Sequence, residues 1–270
     1  MEFRTKVNIQ KAPFTILPCE RVLFVGSCFA NNIGQKFADE KFRTVVNPFG
    51  TMYNPASILH TIERMDETFD TAVITLGTNH VYIEKTSGEI VDNCKKRPQR
   101  LFIEKELTID ECVAYLKSAV NLLLQRNEHT KFILTVSPIR YAKYGFHKSQ
   151  LSKATLLLAV NEVVKAYPTH AAYFPAYEIV NDELRDYRFY KADMLHPNEQ
   201  AVDYIWECLV EEWFSDEAKK FLSAWKPIKE ALSHRPFDAN SEKYKAFRNR
   251  TLAQAKALSE VYKGLIISEE

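Results

Sequence analysis

The stretch Val22-Leu23-Phe24-Val25-Gly26-Ser27-Cys28-Phe29-Ala30 changes its hydrophobic period at Gly26. Before the glycine runs an unbroken apolar string, as in strands buried on both faces of a parallel sheet. After it, Phe29, Ile33 and Phe37 recur at helical spacing with Ala30 beside them. Ser27 therefore stands where a central strand becomes a helix. Amides at a helix N-terminus point toward whatever occupies that turn, and the helix dipole favours negative charge there. Two roles are open to Ser27 at this corner. It could be a nucleophile whose own amide helps to hold an oxyanion, or it could simply cap the helix.

The same change of period recurs along the chain. Residues 72–76 form a second buried run that ends in Gly77-Thr78-Asn79-His80, and 131–136 form a third that ends in Ser137-Pro138. Residues 42–46 and 172–176 read as shorter strands, and residues 1–20 as an edge segment. Helices are expected over 56–65, 108–126, 149–167 and 199–214. In the second of these, Ile109, Cys112, Val113, Leu116, Val120 and Leu123 share one face. Asn47-Pro48-Phe49-Gly50-Thr51-Met52-Tyr53-Asn54-Pro55 has the composition of a structured loop, and 82–94 that of a hairpin insertion. Strand–loop–helix repetition predicts an α/β fold, a three-layer α/β/α sandwich with a central parallel sheet of flavodoxin-like type. Ligands in such sheets sit beyond the carboxyl ends of the strands. The loops at 26–28, 47–54, 77–80 and 137–147 should then face one cleft.

From Ser215 the composition shifts to Lys/Glu/Ala-rich helical patterning, over roughly 216–233 and 241–262, with a break at His234-Arg235-Pro236-Phe237. The expected organisation is a core over 1–214 and a helical hairpin over 215–270 packed on it. The hairpin would cover a sheet edge or make a homodimer contact.

Lys and Arg number 36 against 35 Asp and Glu, a net charge of +1, so charge gives no reason to expect a nucleic-acid partner. The five cysteines, at positions 19, 28, 94, 112 and 208, show no Cys-x-x-Cys pair, and free thiols in a reducing compartment are expected. No basic-then-apolar leader opens the sequence, and no apolar run approaches the length of a membrane span. The expectation is a cytoplasmic protein. His60, His80 and His147 lack metal-ligand spacing. The segment from Gly26 to Lys36 is neither a phosphate-binding Walker loop nor a Gly-x-Ser-x-Gly elbow, so no cofactor or metal is expected.

Asp193-x-x-His196 allows a carboxylate to orient an imidazole, leaving its other nitrogen to deprotonate a hydroxyl, although a surface turn reads equally well. In Gly77-x-Asn79, glycine permits close approach of a ligand and an asparagine amide can donate to an oxyanion; an ordinary turn is the plainer reading. Gly50 could present its N–H to the same cleft or serve only as a turn glycine. Cys28, one position past Ser27, should point into helix packing.

Taken in order, strand–Gly-Ser, loop glycine, strand–Gly-x-Asn and a late Asp-x-x-His resemble the SGNH-hydrolase superfamily, the GDSL-like esterases. More specifically, Gly26-Ser27-Cys28-Phe29-Ala30 resembles the motif that names the GSCFA family within it. Asn47-Pro48-Phe49-Gly50, Tyr53-Asn54-Pro55, Thr135-Val136-Ser137-Pro138, Ser152-Lys153-Ala154, residues 173–178 and residues 186–197 extend that resemblance across about residues 3–212. The superfamily usually carries an Asp between the glycine and the serine; here Gly26 directly precedes Ser27.

The resemblance implies Ser27 as nucleophile, His196 as general base and Asp193 as its orienting acid. The Ser27 amide, Gly50 and Asn79 would form the oxyanion hole. Tyr53, His80, Arg140, Tyr141 and His147, on the cleft-side loops, are candidates for contacting substrate. The expected activity is a serine hydrolase cleaving an O-acyl ester of a small molecule or carbohydrate. The alternatives are an O-acyltransferase using the same residues and a non-catalytic ligand-binding protein that keeps the fold.

Overall fold

The computed structural model describes residues 4–238 and 240–266. The first three positions of the expected edge segment and the last four of the expected extension lie outside the described residues. The central sheet contains β1 (Arg21–Gly26), β2 (Arg43–Val46), β3 (Thr71–Leu76), β7 (Lys131–Val136) and β8 (Ala171–Tyr173), all parallel, in the order β2-β1-β3-β7-β8. Renumbered within this sheet alone, the order is 2-1-3-4-5. The chain reverses direction across the sheet between β1 and β3, and a crevice opens at such a point.

Two cores flank the sheet because strand side chains alternate. Val22 and Phe24 of β1, Val73 of β3 and Ile133 of β7 face one core, with α1 (Cys28–Asp39), α6 (Glu199–Trp213) and α7 (Asp216–Ser233). Leu23, Val25, Ile74, Leu134 and Val136 face the other, with α2 (Pro55–Glu63), α3 (Ile109–Arg126) and α4 (Phe146–Ala166). The predicted three-layer α/β/α sandwich is what the chain forms.

Three local expectations need correction. The insertion after β3 is a three-stranded antiparallel sheet, not a two-stranded hairpin: β4 (His80–Glu84) pairs with both β5 (Ile90–Val91) and β6 (Phe102–Glu106). The fourth core strand ends at Tyr173, since Pro175 cannot donate to a ladder and starts the short helix α5 (Ala176–Glu178). The chain then runs into a π-helical turn over Ile179–Leu184, which no local pattern announced. Residues 4–20 carry no regular strand; Ile16 bridges to Phe214, and its amide donates to Trp213 O at 2.9 Å.

After α7 comes α8 (Glu242–Val261). Phe221, Trp225 and Ile228 of α7 and Ala255 of α8 belong to the same core as Phe24 and Phe37. The helical pair is thus bound to the α1 layer by shared burial. Among the described residues no helix is long and apolar enough to cross a membrane.

Candidate active site

The corner at the end of β1 is fixed by Gly26. Its φ is +136°, and a Cβ there would lie 2.0 Å from Thr75 O, so only glycine lets β1 and β3 approach this closely. The Ser27 amide then donates to Thr75 O at 2.9 Å. The Ser27 hydroxyl lies 2.9 Å from Thr75 Oγ1 and caps α1 by accepting from the Phe29 amide at 3.3 Å. Ser27 is 1% exposed. The capping role open to it in the sequence is realised.

The 47–55 loop is tied to this corner. Asn47 Oδ1 accepts from the Gly26 amide at 2.9 Å, while Asn47 Nδ2 donates to Asn31 Oδ1 at 2.7 Å. Gly77 and Thr78 both donate their amides to Tyr53 O, at 2.9 and 2.8 Å. A Cβ on Gly77 would stand 3.3 Å from the Tyr53 ring and 3.5 Å from Ser27 Cβ, which places the loop after β3 directly against the serine. The Tyr53 hydroxyl meets Cys28 Sγ at 3.4 Å, and burial, then that contact, raise its pKa.

Asp193 and His196 are joined as their spacing suggested. His196 Nδ1 lies 2.7 Å from Asp193 Oδ2, and Asp193 Oδ1 accepts from the Leu195 and His196 amides at 2.8 and 3.0 Å. The His196 amide, the Leu195 amide and then the imidazole hold the Asp193 carboxyl down at about 2. The imidazole is 35% exposed, and with Nδ1 occupied by Asp193 its Nε2 is free to act. No hydrogen bond joins His196 to Ser27 among the described residues.

The other expected oxyanion donors are engaged elsewhere. Gly50, at φ +94°, donates its amide to Asn47 O at 2.8 Å and closes a turn. Asn79 is 4% exposed; its Nδ2 donates to Leu107 O at 2.7 Å, its amide to Ser152 Oγ at 3.0 Å, and its Oδ1 has no partner among the described residues. In the first turn of α1 the Cys28 amide makes no backbone hydrogen bond among the described residues, as expected of an N1 donor.

Of the residues expected to contact substrate, Tyr53 adjoins Ser27, and Tyr141 lies 5.8 Å, ring to ring, from Tyr144. His80 is buried and stacked on Tyr144 at 4.1 Å, and burial lowers its pKa. Arg140 lies against the His196 loop. His147 is exposed on the first turn of α4. The described residues hold no group of three or more His, Cys, Asp or Glu suited to a metal ion.

Two functional-looking residues went unassigned in the sequence. Thr75 supplies two of the three partners of Ser27 just described, its carbonyl oxygen and its Oγ1. Lys153, 2% exposed on α4, donates Nζ to Gly77 O and Ser137 O, each at 2.8 Å, and so bridges the carboxyl ends of β3 and β7. Burial alone lowers its pKa to about 7. A signal existed: Lys153 falls among Ser149, Ser152, Leu156 and Val160 on the buried face of α4.

Against known proteins, the model of the GSCFA family matches residues 21–72 and 65–209, and that of the GSCFA domain protein C-terminal domain matches 225–270. The chain belongs to the GSCFA family. This GSCFA chain is similar in structure to a Streptococcus pneumonia protein provisionally described as a platelet activating factor, at 16% identity and a TM-score of 0.51, covering 74% of this chain and 85% of that one. It also resembles a Bacteroides fragilis protein provisionally described as an acylhydrolase, at 16% identity and a TM-score of 0.48, over 75% and 88% of the two chains. A third similar structure is Axe2, an acetyl-xylooligosaccharide esterase from Geobacillus Stearmophilus, at 14% identity and a TM-score of 0.47, over 75% and 100%. No curated protein matches. The likeness to the Streptococcus pneumonia structure, at a TM-score above one half, agrees with the α/β/α fold of the GSCFA core.

Proposed function

We propose that this GSCFA protein is a serine hydrolase acting on an O-acyl ester, with Ser27 as nucleophile, His196 as general base and Asp193 as the group that orients it. The observation that carries this reading is the 2.7 Å Asp193–His196 bond, which engages Nδ1 and leaves Nε2 for proton transfer in a chain of the GSCFA family. His196 Nε2 would take the Ser27 proton as Oγ attacks the ester carbonyl, and return it to the departing alcohol. Water would then release the acid by the same route.

To react, Ser27 Oγ must turn away from Thr75 Oγ1 and the Phe29 amide toward His196. The uncommitted Cys28 amide is the first-turn donor best available to the developing oxyanion. Gly50 and Asn79 would join it only after leaving their present acceptors.

One observation favours a second reading. Ser27 is almost wholly buried, and its amide, the Gly50 amide and the Asn79 side-chain amide all have protein acceptors. A protein that binds a ligand at the crevice without turning it over would look like this. Fluorophosphonate labelling, run beside hydrolysis of p-nitrophenyl esters and acetylated sugars, separates the two. The hydrolase reading expects labelling and turnover in the wild type and neither in Ser27→Ala. An unreactive wild type, or a labelled Ser27→Ala, leaves the binding reading in place.

A further inference from the structure

Beside the His196 loop lies a cavity of about 330 Å³, bounded by the segment after β7, the start of α4 and the π-helical turn over 179–184 with the residues after it. Two arginines line it, Arg140 and Arg185, and neither is ion-paired to a carboxylate among the described residues. One carboxylate also lines it, that of Asp186. Its Oδ1 accepts from the Arg188 amide at 2.8 Å and its Oδ2 lies 3.7 Å from Arg188 Nε, so it is directed to a third arginine. The cavity is left with an excess of positive charge.

Arg140 is held in place rather than loose. Its amide donates to Leu195 O at 3.0 Å and its Nη1 to Met194 O at 2.9 Å. The guanidinium lies over the rings of Phe146, Tyr187 and Tyr190 at 4.2, 5.6 and 5.7 Å. A guanidinium has five N–H donors, and one carbonyl occupies only one of them. Ordering the side chain in advance lowers the entropy lost when an anion arrives.

Arg185 is placed by strained backbone. It adopts φ +47° in the left-handed region and closes the π-helical turn by donating its amide to Val180 O at 3.0 Å. Both features, a non-glycine residue at positive φ and a π-helical turn, concentrate where a side chain must be aimed for function. Together they turn a second guanidinium toward the space that Arg140 borders.

We propose that this cavity is a binding subsite for an anionic group, a carboxylate or phosphate, carried by the substrate, with Arg140 and Arg185 as its ligands. The proposal rests on the hydrolase reading only for what the substrate is: an acidic ester. Arg140 contacts Met194 and Leu195, the two residues before His196, so an anion in the subsite would set the ester beside the imidazole.

The test compares kcat/KM of the full chain for p-nitrophenyl hemisuccinate against p-nitrophenyl butyrate, and for acetylated glycerophosphate against acetylated glycerol. The wild type should prefer the anionic member of at least one pair, and which pair it is identifies the anion. Arg185→Gln and Arg140→Gln should each lower that ratio at least about tenfold, as loss of a charged hydrogen bond would. An unchanged ratio in folded variants of both overturns the subsite. Should the wild type cleave none of these esters, the hydrolase reading fails separately, and thermal stabilisation by succinate or inorganic phosphate decides the subsite. Stabilisation of the wild type that is lost in Arg185→Gln sustains it; equal or absent stabilisation overturns it.

Discussion

Gly26 shows how much of the site is a matter of single backbone positions. The Cβ that alanine would add meets Thr75 O, part of the adjoining strand, and a backbone atom in a five-stranded sheet cannot step aside. Positive φ adds its own penalty. Gly26→Ala should therefore destabilise the protein by about 2–4 kcal/mol, combining overpacking with backbone strain. Gly88→Ala is the comparison: φ there is +73°, but nothing stands within 4 Å of the added carbon, and about 1 kcal/mol is expected. Chemical denaturation of the two variants checks this, and equal losses would refute the packing argument. The glycine was legible in the sequence as the end of an apolar run. The hydrogen-bond commitments around it were not. Asn79 gives its side-chain amide to Leu107, 28 residues away, and Thr75 reaches Ser27 across 48, so no local pattern could have shown that these donors are engaged.

At the scale of elements, α4 holds the loops of the crevice in register. Ser152 accepts from the Asn79 amide and meets Thr78 Oγ1 at 3.1 Å, and Lys153 spans Gly77 and Ser137. A neutral amine has two N–H groups for these two carbonyls, so the bridge suits the uncharged form that burial favours. Lys153 titrates at about 7 in the folded chain, whereas a free lysine titrates near ~10.4. Between these values the unfolded chain binds more protons, and stability rises with pH. Lys153's contribution is full above ~10.4 and is lost as pH falls toward about 7. Lys153→Met should flatten that rise in urea denaturation between about pH 7 and about pH 10, and the same slope in the variant would disprove the assignment. Helices and core strands were legible because their apolar periods are regular. β6, Phe102-Ile103-Glu104-Lys105-Glu106, was not: only Phe102 is buried, and it is held by pairing with β4.

Across the whole molecule, one core joins the crevice strand to the helical extension. Trp225 of α7 is 1% exposed and donates Nε1 to Asp39 O at 3.1 Å, at the C-terminal end of α1. Trp225→Ala should cost about 3–5 kcal/mol, read as a lowered midpoint of the whole unfolding transition. A separate early transition confined to the last two helices would contradict this coupling. The extension was visible in the sequence as a change of composition, but not its depth of burial, because Phe221, Trp225 and Ile228 are spaced among lysines and glutamates. Rings run in contact from Phe24 through Phe37 and Phe42 to Phe221, with centroids 5.0, 5.0 and 6.3 Å apart. Phe24 lies on β1, three residues before Ser27, so this packing should couple the last helices to the Ser27 corner in one cooperative unit. Amide protons of β1 and α7 should then exchange with solvent through a common opening, and a ligand that tightens the crevice would slow exchange in the tail as well.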